Sequence, residues 1–176
     1  MNINWQAVFN AEIAWEAIPQ ILEGLPYTLS LSLIGFALGT FCGFFVALLR
    51  MSKITPLRWL AMLHISLMRG IPLMVLLFFI YFGLPFMGIQ LDAISASIIA
   101  FTSMSSAYIS EIIRASLSAI DKGQWEAAKS LGLRTNVIYR KIIIPQAFRI
   151  ALPPLSNVLL DMVKSTSLTA MITVPE

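Results

Sequence analysis

An all-α membrane protein that crosses the bilayer several times is the fold this sequence predicts, on three observations. Of 176 residues, 58% are apolar and only 12% charged, about half the charged share of an ordinary soluble domain. The run Leu25 to Leu49 holds no charged residue. As a helix it extends about 37 Å, enough to cross a hydrocarbon core of about 30 Å. The basic residues, finally, are sorted by loop rather than spread along the chain. An unusually apolar soluble bundle is the competing class, and the charge-free run argues against it.

Taken in order, residues 1–23 contain Glu12, Glu16 and Glu23 but no Lys or Arg. They lack the basic start of a secretory signal and are expected to form an extracytoplasmic segment. Residues 24–176 form the membrane domain, with apolar segments at about 25–49, 59–84, 93–118 and 150–174. The loop after the first segment carries Arg50, Lys53 and Arg58. The loop after the third carries Lys122, Lys129, Arg134, Arg140, Lys141 and Arg149. The turn from Pro85 to Asp92 has no basic residue. By the positive-inside rule both basic loops are cytoplasmic and the N-terminus lies outside, which agrees with each segment crossing once. The overall positive charge therefore marks membrane orientation, not nucleic-acid binding.

Two surfaces are rich in small residues. Gly35, Gly39 and Gly43 recur at i, i+4 and i+8 on one face of the first segment. The third segment offers Ala93, Ser95, Ala96, Ser97, Ala100, Ser103, Ser105, Ser106 and Ala107. In lipid, small side chains let helix backbones approach and serine hydroxyls bond across the contact. Both surfaces therefore read as packing faces, and the third helix belongs inside the bundle. A solute path along the same surfaces is the alternative.

The polar connector 121–149 is the strongest candidate site. Gly123 is expected to end the third helix, and Gln124 to Leu131 to form a short one. Gly132 supplies the left-handed residue that closes a helix. Thr135 would cap a second helix through Ile143, with Ile144 biased away from helix by Pro145. Trp125, Ala127, Ala128 and Leu131 would then be available to a partner's groove, with Glu126 at the helix start. An amphipathic helix lying on the lipid surface is the alternative.

Charges at membrane depth form a second candidate set. Asp161 and Lys164, three apart, can pair over one turn. Such residues usually face a bundle interior or a wet cavity, so they either stitch helices or line a path. Glu111 and Arg114 repeat the spacing, with Arg114 able to reach the interface. Arg69, beside Gly70 and Pro72, sits where a helix could break. His64 and the nine methionines read as packing. Cys42 is alone, so no intrachain disulfide forms. The chain has no phosphate-binding G-x4-G-K-[ST] loop, no metal-ligand spacing and no nucleophile triad. No cofactor is called for, and any ATP chemistry must sit on another chain.

Glu126-Ala127-Ala128, three residues, Gly132, nine residues, then Ile142, Ile144 and Pro145 resembles the EAA motif of permease subunits in binding-protein-dependent ABC importers. The one departure is Ile144 in place of Leu. Gly24-Leu25-Pro26-Tyr27-Thr28-Leu29, Arg69-Gly70-Ile71-Pro72-Leu73, Ala107 to Arg114, Leu152 to Asn157 and Lys164 to Leu168 are similar to further blocks of the polar amino acid subgroup. The resemblance covers about residue 20 onwards. It implies a type I importer transmembrane domain in a bacterial plasma membrane, with no catalytic residue of its own. Trp125, Glu126, Ala127, Ala128, Leu131, Gly132, Ile142 and Pro145 would couple to an ABC ATPase subunit. A second permease subunit, identical or not, an extracytoplasmic solute-binding protein, an amino acid substrate and membrane lipid are the other implied partners. The subgroup has a fifth crossing, so the chain is expected to be truncated after Glu176. A membrane scaffold that docks a cytoplasmic partner is a rival class, as is a fragment of a secondary transporter, although no internal repeat is visible.

Overall fold

The computed structural model describes residues 11–174, and these are helical almost throughout, with no strand among them. The first ten positions of the expected N-terminal segment lie outside the described residues, as do Pro175 and Glu176. Helix α1 (Ala11–Arg50) starts well before the predicted first span. Its 40 residues rise about 60 Å, twice the thickness of a hydrocarbon core.

The second predicted span is broken. Helices α2 (Thr55–Gly70) and α3 (Leu73–Met87) meet at 105°. The cause is local, because Pro72 disfavours helical backbone in the residue before it, and Ile71 is extended (φ −96°, ψ 128°). Within α3 the backbone passes from α-helix to a π turn at Phe79–Gly83 and then to a 3-10 turn at Leu84–Met87. Gly88, at φ +84°, closes it.

Helix α4 (Ala93–Ser118) coincides with the third predicted span. Its start is set by Asp92, whose carboxylate accepts the Ser95 N–H at 3.1 Å and the Ser95 hydroxyl at 2.6 Å. The same bonds hold the Asp92 carboxyl below the usual carboxylate range. The short helix α5 (Lys122–Ser130) follows, then α6 (Thr135–Ile172). Helix α6 is α-helical at Thr135–Ile138, π-helical at Tyr139–Ile143, α-helical again at Ile144–Ser165 and 3-10 at its end.

The structure departs from three local expectations. Gly123 does not end α4; it sits in the first turn of α5, donating its N–H to Asp121, which caps that helix at 2.6 Å. Arg134, not Thr135, holds the extended cap position of α6. Ile144 is helical (φ −60°, ψ −44°) despite preceding Pro145. Its N–H bonds Tyr139 O, one residue further back than in an α-helix. That change of register falls just before Pro145, which has no N–H to give, and the wider turn accommodates the ring. The fourth predicted span is therefore only the far part of a 38-residue helix.

The broadest packing joins α1 to α4, and α6 and α2 lie against both. The glycine stripe makes the seam possible. A Cβ added at Gly39 would lie 1.8 Å from Ser105 Oγ, and one at Gly43 would lie 2.9 Å from Ser106 O. Facing it, Ala96, Ser97, Ala100, Ser105, Ser106 and Ala107 are all buried. The small-residue surfaces are thus packing faces, and α4 runs inside the bundle as expected. Ser105 Oγ donates to Phe101 O at 2.6 Å, and His64 Nε2 lies 2.8 Å from Ser106 Oγ, tying α2 to α4. The main core gathers Leu31, Leu77, Ile80, Phe101, Met162 and Ile172 at one end of the bundle.

Candidate functional site

The connector helix is held by its own protein on one side only. Ala128, 3% exposed, packs with Ile120, Ile138, Ile143 and Ala147, flanked by Leu117, Trp125 and Ile142. Ile138 and Ile143 are five residues apart, off-face in an α-helix but brought to one face by the π turn between them. Trp125 is half-buried and stacks edge to face on Tyr139, with ring centroids 4.7 Å apart. Gln146 Nε2 donates to Gln124 Oε1 at 3.3 Å.

Two of the four side chains expected to be available to a groove are therefore turned inward. Trp125 and Ala128 are engaged by α6, while Ala127 and Leu131 remain exposed, Leu131 at 78%, with Glu126 beside them. Ile142 sits in the inner cluster and Pro145 is exposed at the resumption of α-helix. Gly132 has the expected left-handed backbone, φ +70°. Its N–H bonds Lys129 O at 2.9 Å, and the Leu133 N–H bonds Ala128 O at 3.2 Å, the paired bonds of a Schellman closure.

The membrane-depth charges separate into two groups. Asp161 lines a cleft of about 260 Å³ with Leu73, Phe101, Met104, Ser105, Tyr108 and Ser165 among its walls. Lys164 is exposed and is not in that wall. The expected pairing does not form, since the one ion pair within 4.0 Å among the described residues is Arg114 with Glu111. The α6 backbone offers the spacing, but the two exposed side chains do not meet, since Asp161 lines the cleft and Lys164 does not. Arg114 Nε reaches both Glu111 carboxylate oxygens at 3.0 Å, and Nη2 reaches Oε1 at 2.5 Å. Glu111 lies about one turn from Tyr108 and Arg114 nearly two, and both are outside the cleft wall. Arg69, at the end of α2, places its guanidinium 5.4 Å from the centre of the Tyr108 ring.

Sequence reasoning missed Tyr139, Gln146 and Tyr108 as structural partners of the sites. Tyr108 lies inside the Ala107 to Arg114 block, whereas Tyr139 lies fourteen residues beyond Trp125 with no period to connect them.

Fold and site together define a polytopic α-helical membrane subunit that displays a short, one-side-anchored helix beyond its spans. Residues 39–175 match the family described as the binding-protein-dependent transport system inner membrane component, and the chain belongs to that family. It is 52% identical to the probable amino-acid ABC transporter permease protein YckA of Bacillus subtilis (strain 168), over 99% of this chain and 77% of that one. To the L-cystine transport system permease protein TcyB of the same organism it is 40% identical, over 93% and 72% of the two chains. The crystal structure of an amino acid ABC transporter with histidines superposes with a TM-score of 0.87 at 36% identity, covering 100% of this chain and 79% of that one. An inward-facing MetNI methionine ABC transporter shares the fold at TM-score 0.67 and 22% identity, over 89% and 74% of the chains.

Proposed function

We propose that this chain is the permease subunit of an ATP-driven importer of polar amino acids in a bacterial plasma membrane. The observation that carries this reading is α5, whose inner face is fixed by Trp125 and Ala128 while Glu126, Ala127 and Leu131 stay free for an ABC ATPase subunit. A small residue beside an exposed leucine suits insertion into a groove. Gly132 supports the register of that face, because a side chain at its positive φ is strained. With a second permease subunit, identical or not, and an extracytoplasmic binding protein, the helices would alternate the exposure of one site by rigid-body motion. The subunit does no covalent chemistry. Its N-terminus faces outside, as the loop charges favour, and 24–176 is the transmembrane domain with 121–149 as its coupling loop.

The cleft between α3, α4 and α6 is the proposed substrate path. Asp161 supplies a carboxylate for an amino acid's ammonium, and Ser165 and Tyr108 bring hydroxyls to the same walls. Lys164, Glu111 and Arg114, outside that wall, are assigned to the approaches of the route, where their charges would meet a solute entering or leaving.

The test uses the chain purified with its ATPase and reconstituted with the binding protein. Asp161→Asn is expected to cut transport at least tenfold while the complex still assembles. Adding Lys164→Met should not restore it, because the two charges do not pair. Rescue by the double variant would overturn the path assignment. Gly132→Val should abolish transport and substrate-stimulated ATP hydrolysis together, and normal coupling in that variant would remove the docking-helix reading.

A further inference from the structure

The nine residues of α5 are too few to hold a helix by themselves, since isolated helices below about 12–15 residues are marginal. Tertiary contacts must fix it. Two of its side chains reach inward for that purpose, Ala128 into the Ile120–Ala147 cluster and Trp125 onto Tyr139. Alanine is small and gives no directional grip. The edge-to-face stack does, because such ring pairs favour particular separations and angles, here 4.7 Å and 79°. The Gln124–Gln146 bond adds a second directional link between the same two elements. Tyr139 opens the π turn of α6, and the same helix carries Asp161 further on.

We infer that Trp125 and Tyr139 are positioning residues that lock α5 to the first turns of α6, so that displacement of the docking helix reaches the helix bearing Asp161 without slippage. This rests on the reading of α5 as the docking helix. Neither ring touches substrate. The stack acts by making α5 and the start of α6 one rigid body. Loosening it leaves the outward face of α5 able to bind a partner, but part of that partner's movement is then absorbed locally.

The experiment measures amino acid transported per ATP hydrolysed, with the complete complex in vesicles and the binding protein present. Tyr139→Leu keeps apolar bulk over the cluster but lacks a ring edge. It is expected to retain the ATPase on purification, keep basal hydrolysis within about twofold, and lose at least fivefold in transport per ATP. Tyr139→Phe, which keeps the ring, should stay within about twofold of the parent. Trp125→Leu should lose coupling to a similar degree, and Trp125→Leu with Tyr139→Leu should be no worse than either alone, since one contact is removed in all three. Wild-type transport per ATP in Tyr139→Leu would overturn the inference. So would loss of the retained ATPase in step with transport, because Tyr139 would then be a docking contact. If the parent chain itself retains no ATPase, the importer reading falls first, and the two failures are told apart.

Discussion

Along the α1–α4 seam Gly35, Gly39 and Gly43 meet Phe101, Ser105, Ser106 and Ile109, whereas beneath α5 no glycine takes part and Ile120, Ile138, Ile143 and Trp125 surround Ala128 and Ala147. The contrast follows the solvent each surface was built for. Within lipid, burying an apolar side chain gains nothing from the hydrophobic effect, so helices hold through close backbone approach and short-range contact. Beyond the hydrocarbon core, water returns as the competitor. Helix α6, at 38 residues, rises about 57 Å and must project past a core of about 30 Å. There a fully buried isoleucine stabilises by about 1.5–3 kcal/mol. One chain thus uses a glycine stripe where contact distance decides and mostly large apolar side chains where area decides.

The largest effect is expected from putting bulk into the seam. A Cβ on Gly39 would meet Ser105 Cβ at 2.8 Å as well as its hydroxyl, so rotating the serine does not clear the clash. Gly39→Val should therefore cost more than the about 1–3 kcal/mol of ordinary overpacking and leave little folded protein in detergent. Gly39→Ala with Ser105→Gly should recover much of the loss, since the second change removes both offending atoms. A thermal unfolding series on the purified chain checks this, and a stable Gly39→Val would mean that α1 does not rest on α4 at this point.

How far the sequence discloses these regions depends on whether the deciding interaction is local. The extent of helix α4 was legible as an apolar span rich in small residues, most of them buried, although Gly123 does not close it. The break after Gly70 was half legible, since Pro72 marked a place where a helix could end, but the 105° turn depends on what α2 and α3 pack against. Ile144 defeated a sound local rule because a π turn upstream changed the register before Pro145. The direction in which α5 faces was not legible. Trp125, Ala127, Ala128 and Leu131 cover much of a short helix, and partners remote in sequence, Tyr139 for Trp125 and Ile138 and Ile143 for Ala128, decide which of them turn inward. The absent Asp161–Lys164 pair is similar, because correct spacing permits a bond without requiring it.

A middle-sized effect belongs to the cluster. Ile143 is 1% exposed, and Ile143→Ala should cost about 2–5 kcal/mol as a large-to-small core change. The loss should be confined to the connector, because distant sites without shared partners behave additively. Proteolysis or hydrogen exchange within residues 121–134 is expected to speed up while amides of α4 along the seam keep their protection. Equal loss of protection along the seam would mean that the two interfaces unfold as a unit, and the contrast drawn between them would not extend to stability.

The smallest effect is expected at another glycine, which isolates what the seam glycines do. Gly70 ends α2, and an added Cβ there meets nothing within 4 Å. Its φ is not positive, so alanine adopts the same backbone without strain. Replacing glycine by alanine where the native conformation allows it narrows the unfolded ensemble, which stabilises by about 0.4–1 kcal/mol. Gly70→Ala should accordingly raise the unfolding temperature slightly or leave it unchanged, in contrast to the clash predicted at Gly39. The measurement is best made on the single chain and again on the assembled complex. A neutral result in both places Gly70 at an open break in the backbone. Destabilisation of the assembled complex alone would mean that a partner covers this position closely, so that a second small-residue contact exists between chains. Destabilisation of the isolated chain would instead put a neighbour where the structure has open space, and would revise the angle between α2 and α3.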